Sequence, residues 1–214
     1  AVGYGALTTD DVGQWNVAIG RDALASQNIA SAANTYNTAV GGAAGTAITT
    51  GYNNTLIGGL AGDAITTGAN STAVGYAALG ATTTGWSNVA VGYQALTANT
   101  TGENNVAVGR EALAINTTGG SNVALGRNAL YANTTAANNT AVGIFAMGVN
   151  TTGQYNTAVG GNSLDANTTG DNNTAVGRLS LSGNTTASNN TAVGYKSLHA
   201  NTTGTDNTAV GEST

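Results

Sequence analysis

Asn156-Thr-Ala-Val-Gly160-Gly-Asn-Ser-Leu164-Asp-Ala-Asn-Thr-Thr-Gly170-Asp-Asn172 is one copy of a 17-residue unit that recurs along nearly the whole chain. Its most regular part is the tetrapeptide [Thr/Val]-[Ala/Leu]-[Val/Ile/Leu]-Gly, and a partial copy ends at Gly3. The complete copies end at Gly20, Gly41, Gly58, Gly75, Gly92, Gly109, Gly126, Gly143, Gly160, Gly177, Gly194 and Gly211. Successive glycines are 17 residues apart, except for the 21 residues between Gly20 and Gly41. A fixed period of this size is typical of architectures that stack one small unit.

Two stretches of the unit alternate in side-chain type with a period of two, which indicates β-strands. Thr157 and Val159 share one face of the first stretch, and Leu164 and Ala166 share a face of the second. The Asn-Thr-Thr-Gly segment that follows has the composition of a turn. The sequence therefore predicts an all-β fold, a parallel β-roll or β-solenoid of stacked 17-residue coils with two short strands per coil.

Stacked coils place equivalent residues in columns, and two of these columns are predicted to be buried and apolar. The first comprises Ile19, Val40, Ile57, Val74, Val91, Val108, Leu125, Val142, Val159, Val176, Val193 and Val210. The second comprises Leu7, Leu24, Leu79, Leu96, Leu113, Leu130, Met147, Leu164, Leu181 and Leu198. Gly45 and Gly62 interrupt the second column, and Ile48 and Ile65 follow three residues later, which we interpret as local repacking.

Asparagine precedes each strand, from Asn16 to Asn207 with Ser71 as the one exception. Such a column is expected to form an amide ladder in which each rung hydrogen-bonds the next. The residue that closes the turn is mostly glycine, but Ala136 and Ala187 also occur there. Because alanine is accepted, tight packing is the expected reason for the small residue, and a positive φ is not. The seven Asn-Thr-Thr triplets match a glycosylation acceptor pattern, but the turn alone explains their recurrence.

Composition excludes several classes of protein. The 214 residues include 32 glycines but no cysteine or proline, only 7% are charged, and the formal net charge is -5. Regularly spaced apolar residues argue against disorder, and the scarce, scattered basic residues argue against binding nucleic acid or an anionic membrane. No apolar run approaches the roughly 18 residues that span a bilayer. Disulfides and thiolate metal sites are excluded.

The register never resets, so we expect residues 1–214 to form a single continuous repeat array. A four-residue insertion within 25–37 is the one irregularity, and we expect it to bulge outward as a loop. Neither end resembles the capping unit that a solenoid requires, which predicts a segment of a longer fibre or ends covered by another chain or domain.

The recurring Asn-[Thr/Val]-Ala-[Val/Ile]-Gly motif resembles the Asn-Ser-Val-Ala-Ile-Gly repeats of trimeric autotransporter adhesin heads. It is also similar to the Asn-Thr-Ala-Val-Gly arrays of bacteriophage tail fibres. The resemblance implies a left-handed β-roll assembled from three chains, an extracellular location on a virion tail or a bacterial cell surface, and a surface glycan or host receptor as partner. The thin core of a coil rich in Ala and Gly independently favours a homotrimer, with the Ala/Gly face buried between chains.

Few residues are candidates for chemistry. His199 is the only histidine, and an outward, variable position explains it better than a role as a catalytic base. The acids lie at variable turn positions in different coils: Asp10, Asp11, Asp165, Asp171 and Asp206. We therefore expect no enzyme activity, no catalytic or cofactor-binding residues, no cofactor and no structural metal.

Aromatic and basic residues share the position that follows the repeat glycine. Tyrosine occupies it at Tyr4, Tyr76, Tyr93 and Tyr195, and arginine at Arg21, Arg110, Arg127 and Arg178. A position that accepts both is expected to be exposed and able to contact sugars, although simple shielding of the rod is the favoured interpretation.

The function that the sequence predicts is structural: the shaft or head of a phage tail fibre or a bacterial surface adhesin, which supplies reach and stiffness for attachment. An ice-binding β-solenoid is the first alternative, because stacked threonines can present a regular array. The adjacent Thr-Thr pairs argue against it, since they lie in a turn and point to opposite sides when extended. A carbohydrate-binding or carbohydrate-active solenoid is the second alternative, which the scattered acids disfavour.

Overall fold

The computed structural model describes residues 1–10, 12–29 and 33–214. It is an all-β parallel β-solenoid of about 11 stacked coils that are about 17 residues apart, without a helix in those ranges. The predicted fold class is therefore confirmed. The chain comprises two compact units, Ala1–Asn105 and Val106–Thr214.

The first unit contains seven strands: β1 (Gly13–Gln14), β2 (Val17–Ile19), β3 (Ala33–Asn34), β4 (Thr38–Val40), β5 (Thr55–Ile57), β6 (Thr72–Val74) and β7 (Val89–Val91). Strands β2, β4, β5, β6 and β7 pair in this order, and β1 pairs with β3. All of these pairs are parallel. Each coil of this unit thus adds one strand to the edge of a growing sheet.

The second unit contains β8 (Val106–Val108), β9 (Val123–Leu125), β10 (Thr140–Val142), β11 (Thr157–Val159), β12 (Thr174–Val176), β13 (Thr191–Val193) and β14 (Thr208–Val210). Consecutive strands pair in parallel, with Thr140 opposite Thr157 and Ala141 opposite Ala158. The register therefore follows the sequence period.

The four-residue insertion lies in the first unit and leaves the register intact, because Val17 pairs with Thr38 and Ile19 with Val40. In the same unit, the two-residue strands β1 and β3 pair with each other and form a small additional parallel ladder. The outward loop was predicted within residues 25–37, of which residues 30–32 lie outside the described residues, and Gln27 in that range is fully buried.

Each regular coil has one strand, and the predicted second strand is wrong. The segment after the strand glycine folds as successive turns, in which Asn162 and Leu164 have positive φ angles of 56° and 51°. The Ser163 N–H donates to the Gly160 carbonyl oxygen at 3.2 Å, closing a four-residue turn whose third residue has the positive φ typical of type II. The alternation that predicted a strand thus reflects alternating signs of φ.

The strand also faces opposite to the prediction. Its central residue points inward and is fully buried, as at Ala141 and Ala158. The flanking residues point outward, so that Val159 is 37% exposed and Leu125 is 36% exposed. The predicted buried column from Ile19 to Val210 is therefore wrong. The leucines of the facing turn segment already fill the narrow interior, so the strand has room for little more than a methyl group.

The leucine column is buried as predicted. Leu24, Leu79 and Leu96 in the first unit are fully buried, and so are Leu113, Leu130, Met147, Leu164 and Leu181 in the second. Leu7 and Leu198 are half-buried. Together with the central strand alanines, these side chains form the apolar core of each unit.

Glycine occurs at two positions of the repeat unit for different structural reasons. Gly160 has a φ of 135°, and a Cβ there would lie 2.6 Å from the Gly177 carbonyl carbon, so both conformation and space require glycine. Gly153 has no positive φ, and a Cβ there would lie against the Gly170 carbonyl oxygen. The expectation that packing explains the turn-closing residue is confirmed, and Ala136 and Ala187 occupy the same position.

Candidate functional site

The predicted asparagine ladder is present in both units. In the second, Asn156 Oδ1 accepts a hydrogen bond from the Asn173 backbone N–H at 2.8 Å, and Asn156 Nδ2 donates to the Gly170 carbonyl oxygen at 2.8 Å. In the first, the Ser71 N–H donates to Asn54 Oδ1, and Ser71 Oγ accepts from the next rung. Serine thus replaces one rung without breaking the series.

A second amide ladder was not predicted. The asparagine of each Asn-Thr-Thr triplet was interpreted as a turn residue, but Asn150 and Asn167 are fully buried. Asn167 Nδ2 donates to Asn150 Oδ1 at 2.9 Å and to the Gly170 carbonyl oxygen at 3.0 Å. The sequence did carry a signal for this ladder: asparagine recurs strictly at this position, although a solvent-exposed turn would accept other polar residues. Burial also leaves no space for a glycan on Asn150 or Asn167 in the folded chain.

The two ladders converge on shared carbonyl oxygens. The Gly170 carbonyl accepts one hydrogen bond from Asn156 and one from Asn167, and the Gly153 carbonyl accepts from Asn139 and Asn150. Over the described residues, no buried side-chain nitrogen or oxygen is left without a partner. These saturated amides stabilise the interior and offer no donors or acceptors to a ligand.

Three of the predicted acids accept hydrogen bonds, either within a turn or from the adjacent coil, and Asp206 is exposed. Asp165 accepts from Asn162 Nδ2 at 3.0 Å, and Asp171 accepts from the Gln154 backbone N–H at 2.6 Å. Asp10 accepts from the Gly13 N–H at 2.8 Å and from Gln27 Nε2 at 2.7 Å. Asp11 lies outside the described residues. Within the described ranges, no group of three His, Cys, Asp or Glu side chains could hold a metal ion.

His199 is exposed, as predicted. It borders a cavity of about 390 Å³ together with Lys196, Ala200, Ser213 and Thr214. Tyr195 lies beside it, with the Lys196 ammonium 5.4 Å and the Arg178 guanidinium 5.9 Å from its ring centre.

Two carboxyl groups have shifted pKa values. A hydrogen bond from Arg110, followed by one from Asn128, lowers the pKa of Glu111. Burial raises the pKa of Asp63.

The position after the strand glycine forms an exposed column, as predicted. In the first unit, Tyr76 is 50% exposed and its ring stacks on that of Tyr93, with centres 5.8 Å apart and an angle of 14° between planes. In the second, the Arg127 guanidinium lies 5.0 Å from the centre of the Phe145 ring. These contacts hold planar groups upright on the surface.

Two glycines interrupt this column in the first unit. Gly42 and Gly59 lie between Arg21 and Tyr76, and a Cβ at Gly42 would meet nothing within 4 Å. The missing side chains leave a cavity of about 260 Å³, lined by Arg21, Asp22, Gly42, Ala43 and Leu60. Gly59 lies next to it, and a Cβ there would lie 3.6 Å from Tyr76 Cδ2 and 4.0 Å from the Gly42 carbonyl oxygen. We call the surface formed by the cavity, Gly59 and the adjoining Tyr76 ring the glycine notch.

A comparison of the chain with protein-family models, with curated proteins and with solved structures gave no match. The part of the chain that the structure describes has no helix long and apolar enough to cross a membrane.

Proposed function

We propose that this chain is a structural element of an extracellular attachment fibre, the shaft or head of a phage tail fibre or of a bacterial surface adhesin. The observation that carries the proposal is the outward face of the strands. In strands β8 to β14 this face presents only threonine and aliphatic side chains, and none of the seven strands contains a charged residue.

Exposed apolar columns of this kind are uncommon on monomeric proteins and mark contact surfaces. Val108 is 38% exposed and Val159 37% exposed, although both belong to a regular ladder of flat, parallel strands. A repeated face matches a second copy of itself at every coil, so a copy of this chain is the proposed occupant. The resemblance to trimeric fibre repeats sets the proposed number of copies at three.

This interface differs from the one that the sequence suggested. The Ala/Gly face was expected to lie between chains, but Ala141 and Ala158 point into the coil. The valine and threonine columns lie on the outward face and are partly exposed instead, and burying them would add apolar area that the thin interior of one chain lacks. The proposed trimer thus depends on the outward strand face.

In this proposal the fibre acts mechanically. Hydrogen-bonded ladders repeated coil after coil supply stiffness, and the number of coils sets the reach. We propose no catalytic role, no cofactor and no metal, and we place the attachment partner, a surface glycan or host receptor, outside the strand face.

The proposal is tested by native mass measurement of the wild-type chain and of Val142→Asp. The expected wild-type mass is three times 20.8 kDa. The variant places a charge on the outward face, where water solvates it in one chain but not between chains, so it should be folded and monomeric. Thr152→Asp, on an exposed turn, is the matched control and should remain trimeric. A monomeric wild-type chain at micromolar concentration would refute the trimer.

The ice-binding alternative now has an observation in its favour. The argument against it concerned the Thr-Thr turns, whereas Thr140, Thr157 and Thr174 lie in register on the flat strand face beside the valines. A monomer would leave this regular face open, and a trimer would bury it. Inhibition of ice recrystallisation by a monomeric wild-type chain would favour this second function.

A further inference from the structure

We propose that the glycine notch of the first unit binds a short neutral oligosaccharide, with one pyranose ring stacked on Tyr76 and sugar hydroxyls bound by Arg21 and Asp22. The proposal deepens the attachment role proposed above by naming a ligand class and a site on the chain itself. It depends on one chain alone and does not require the trimer.

The aromatic wall is held in place and has one open face. Tyr93 stacks on one side of the Tyr76 ring. On the other side is Gly59, where a Cβ would lie 3.6 Å from Tyr76 Cδ2, at ordinary contact distance. No side chain occupies that position, so the ring face is accessible from the notch. A rigid, half-exposed tyrosine face is a suitable platform for the C–H face of a pyranose ring.

The opposite wall supplies hydrogen bonds. Arg21 Nε lies 3.0 Å from Asp22 Oδ2, and the Arg21 side chain is 80% exposed. The pair therefore offers guanidinium N–H donors and carboxylate oxygen acceptors side by side. Neighbouring hydroxyls of a sugar both donate and accept hydrogen bonds, so this combination matches a neutral polyol better than an anion or a cation.

The floor is backbone, fixed by hydrogen bonds between coils. The Gly42 carbonyl accepts from the Leu60 N–H at 3.0 Å, and the Gly59 carbonyl accepts from the Ala77 N–H at 3.0 Å. Ala43 and Leu60 add apolar surface beside the glycines. Because no flexible side chain must be displaced or ordered, a ligand would meet a preformed surface.

The length of the notch sets the size of the ligand. Arg21 and Tyr76 are three coils apart, which at about 4.8 Å per coil is roughly 14 Å. A separation of this size suits a ligand of several linked sugar rings better than a single ring. The chain's acidic balance, with ten acids against five basic residues, disfavours a nucleic acid in this place.

Saturation-transfer difference NMR with cellobiose, lactose and maltose tests the site on the wild-type chain. We expect transfer to the axial ring protons of at least one disaccharide, with a dissociation constant on the order of 1 mM, as is usual for a shallow site. Tyr76→Ala should weaken binding at least about tenfold. Native mass measurement on the same samples reports the trimer separately, so failure of either proposal is recognisable.

Gly42→Trp is the sharpest variant, because a Cβ at this position meets no atom within 4 Å, φ is not positive, and the indole would fill the notch. It should abolish transfer while leaving the circular dichroism unchanged. Gly161→Trp is the matched control: it occupies the same position of the repeat in the second unit, is equally open, and should bind as the wild type does. Equal transfer in Gly42→Trp and wild type, or no transfer to any of the three disaccharides, would overturn the proposal.

Discussion

The coils around residues 41–74 in the first unit and the regular coils of the second unit fill the same interior in different ways. In the second unit a coil buries an alanine at the strand centre and a leucine or methionine in the turn, as at Ala141 and Met147. In the first, Leu56 occupies the strand centre, and Gly62 replaces the turn leucine. A Cβ at Gly62 would lie 2.7 Å from Ile65 Cδ1 and 2.9 Å from Leu56 Cδ2. The interior of these coils is thus filled from other positions.

The hydrogen bonds differ accordingly. The Gly170 carbonyl of the second unit accepts from two buried amides, whereas the Gly68 carbonyl of the first accepts from Asn54 alone because Ile65 replaces the second asparagine. The comparison shows that strand register and strand glycines are fixed. The filling is exchangeable, provided that total volume is kept and no buried polar group loses its partner.

The largest effect that would break this equivalence is expected from Leu56→Ala. Alanine is the usual residue at the strand centre, yet here it would leave a cavity beside Gly45 and Gly62. We expect a loss of about 3–5 kcal/mol in the free energy of unfolding, measured by urea denaturation. Adding Gly62→Ala, which clashes in the wild type, should recover part of the loss. If Leu56→Ala alone were as stable as the wild type, Leu56 would not fill the space that the turn leucine fills in the regular coils.

Asn150→Leu is expected to have the next largest effect, because it interrupts the second amide ladder. Asn133 Oδ1 would lose its donor, and Asn167 Nδ2 would lose one of its two acceptors. The expected loss is about 2–4 kcal/mol in urea denaturation. Thr152→Ala, in the same turn but exposed, is the control and should change stability by less than about 0.5 kcal/mol. If both variants lose the same free energy of unfolding, the amide ladder makes no measurable contribution to stability.

The reverse exchange in the first unit, Ile65→Asn, is expected to cost less. Burial of the isoleucine is lost, but the new amide can donate to the Gly68 carbonyl, which has capacity for a second hydrogen bond. Subtracting the gain from the loss predicts a net cost of about 1–2 kcal/mol. A cost greater than that of Asn150→Leu, measured under the same conditions, would contradict the idea that either filling suits this coil.

The smallest effects concern one shifted carboxyl group in each unit. The raised pKa of Asp63 means that its charged form is disfavoured in the folded chain, so Asp63→Asn should raise the melting temperature slightly at neutral pH. That advantage should vanish as the pH falls through the folded-state pKa, where wild-type Asp63 is neutral too. Melting curves from pH 2 to 7 measure this dependence, and an Asp63→Asn advantage that persists at the lowest pH would contradict it.

Glu111 should show the opposite sign. Its lowered pKa means that the carboxylate bound to Arg110 and Asn128 favours the folded state above the unfolded-state pKa. This small stabilisation should be lost as the pH falls through the folded-state pKa. Glu111→Gln should therefore be slightly less stable than wild type at neutral pH and indistinguishable from it in strong acid. A variant that is more stable at neutral pH would contradict the assignment.

Sequence periodicity predicted the features that depend on repetition itself. A residue repeated at a fixed interval must stack on its equivalents. The parallel register, the leucine column and the first asparagine ladder could therefore be predicted from the sequence. Tight packing at the turn-closing residue was also accessible, because Ala136 and Ala187 appear there. The exposed column of aromatic and basic residues followed from its mixed composition.

The errors arose where the interior is narrower than residue type suggests. Val159 is more apolar than Ala158, yet Ala158 is buried because the turn leucines already fill the space. Leu164 was assigned to a strand, since leucine is an unusual residue at a φ of 51° and its spacing imitates a period of two. The glycine notch was not predicted because it depends on side chains that are missing in neighbouring coils.

A disulfide ruler tests the stacking most directly, since the chain contains no cysteine. Thr135 and Thr152 are exposed equivalents in adjacent coils of the second unit, whereas Thr135 and Thr169 are two coils apart. At about 4.8 Å per coil, only the first pair lies within the roughly 7 Å between Cα atoms that a disulfide allows. Oxidation should close Thr135→Cys/Thr152→Cys within one chain and leave Thr135→Cys/Thr169→Cys open. Closure of the second pair in preference to the first would contradict the stacked coil.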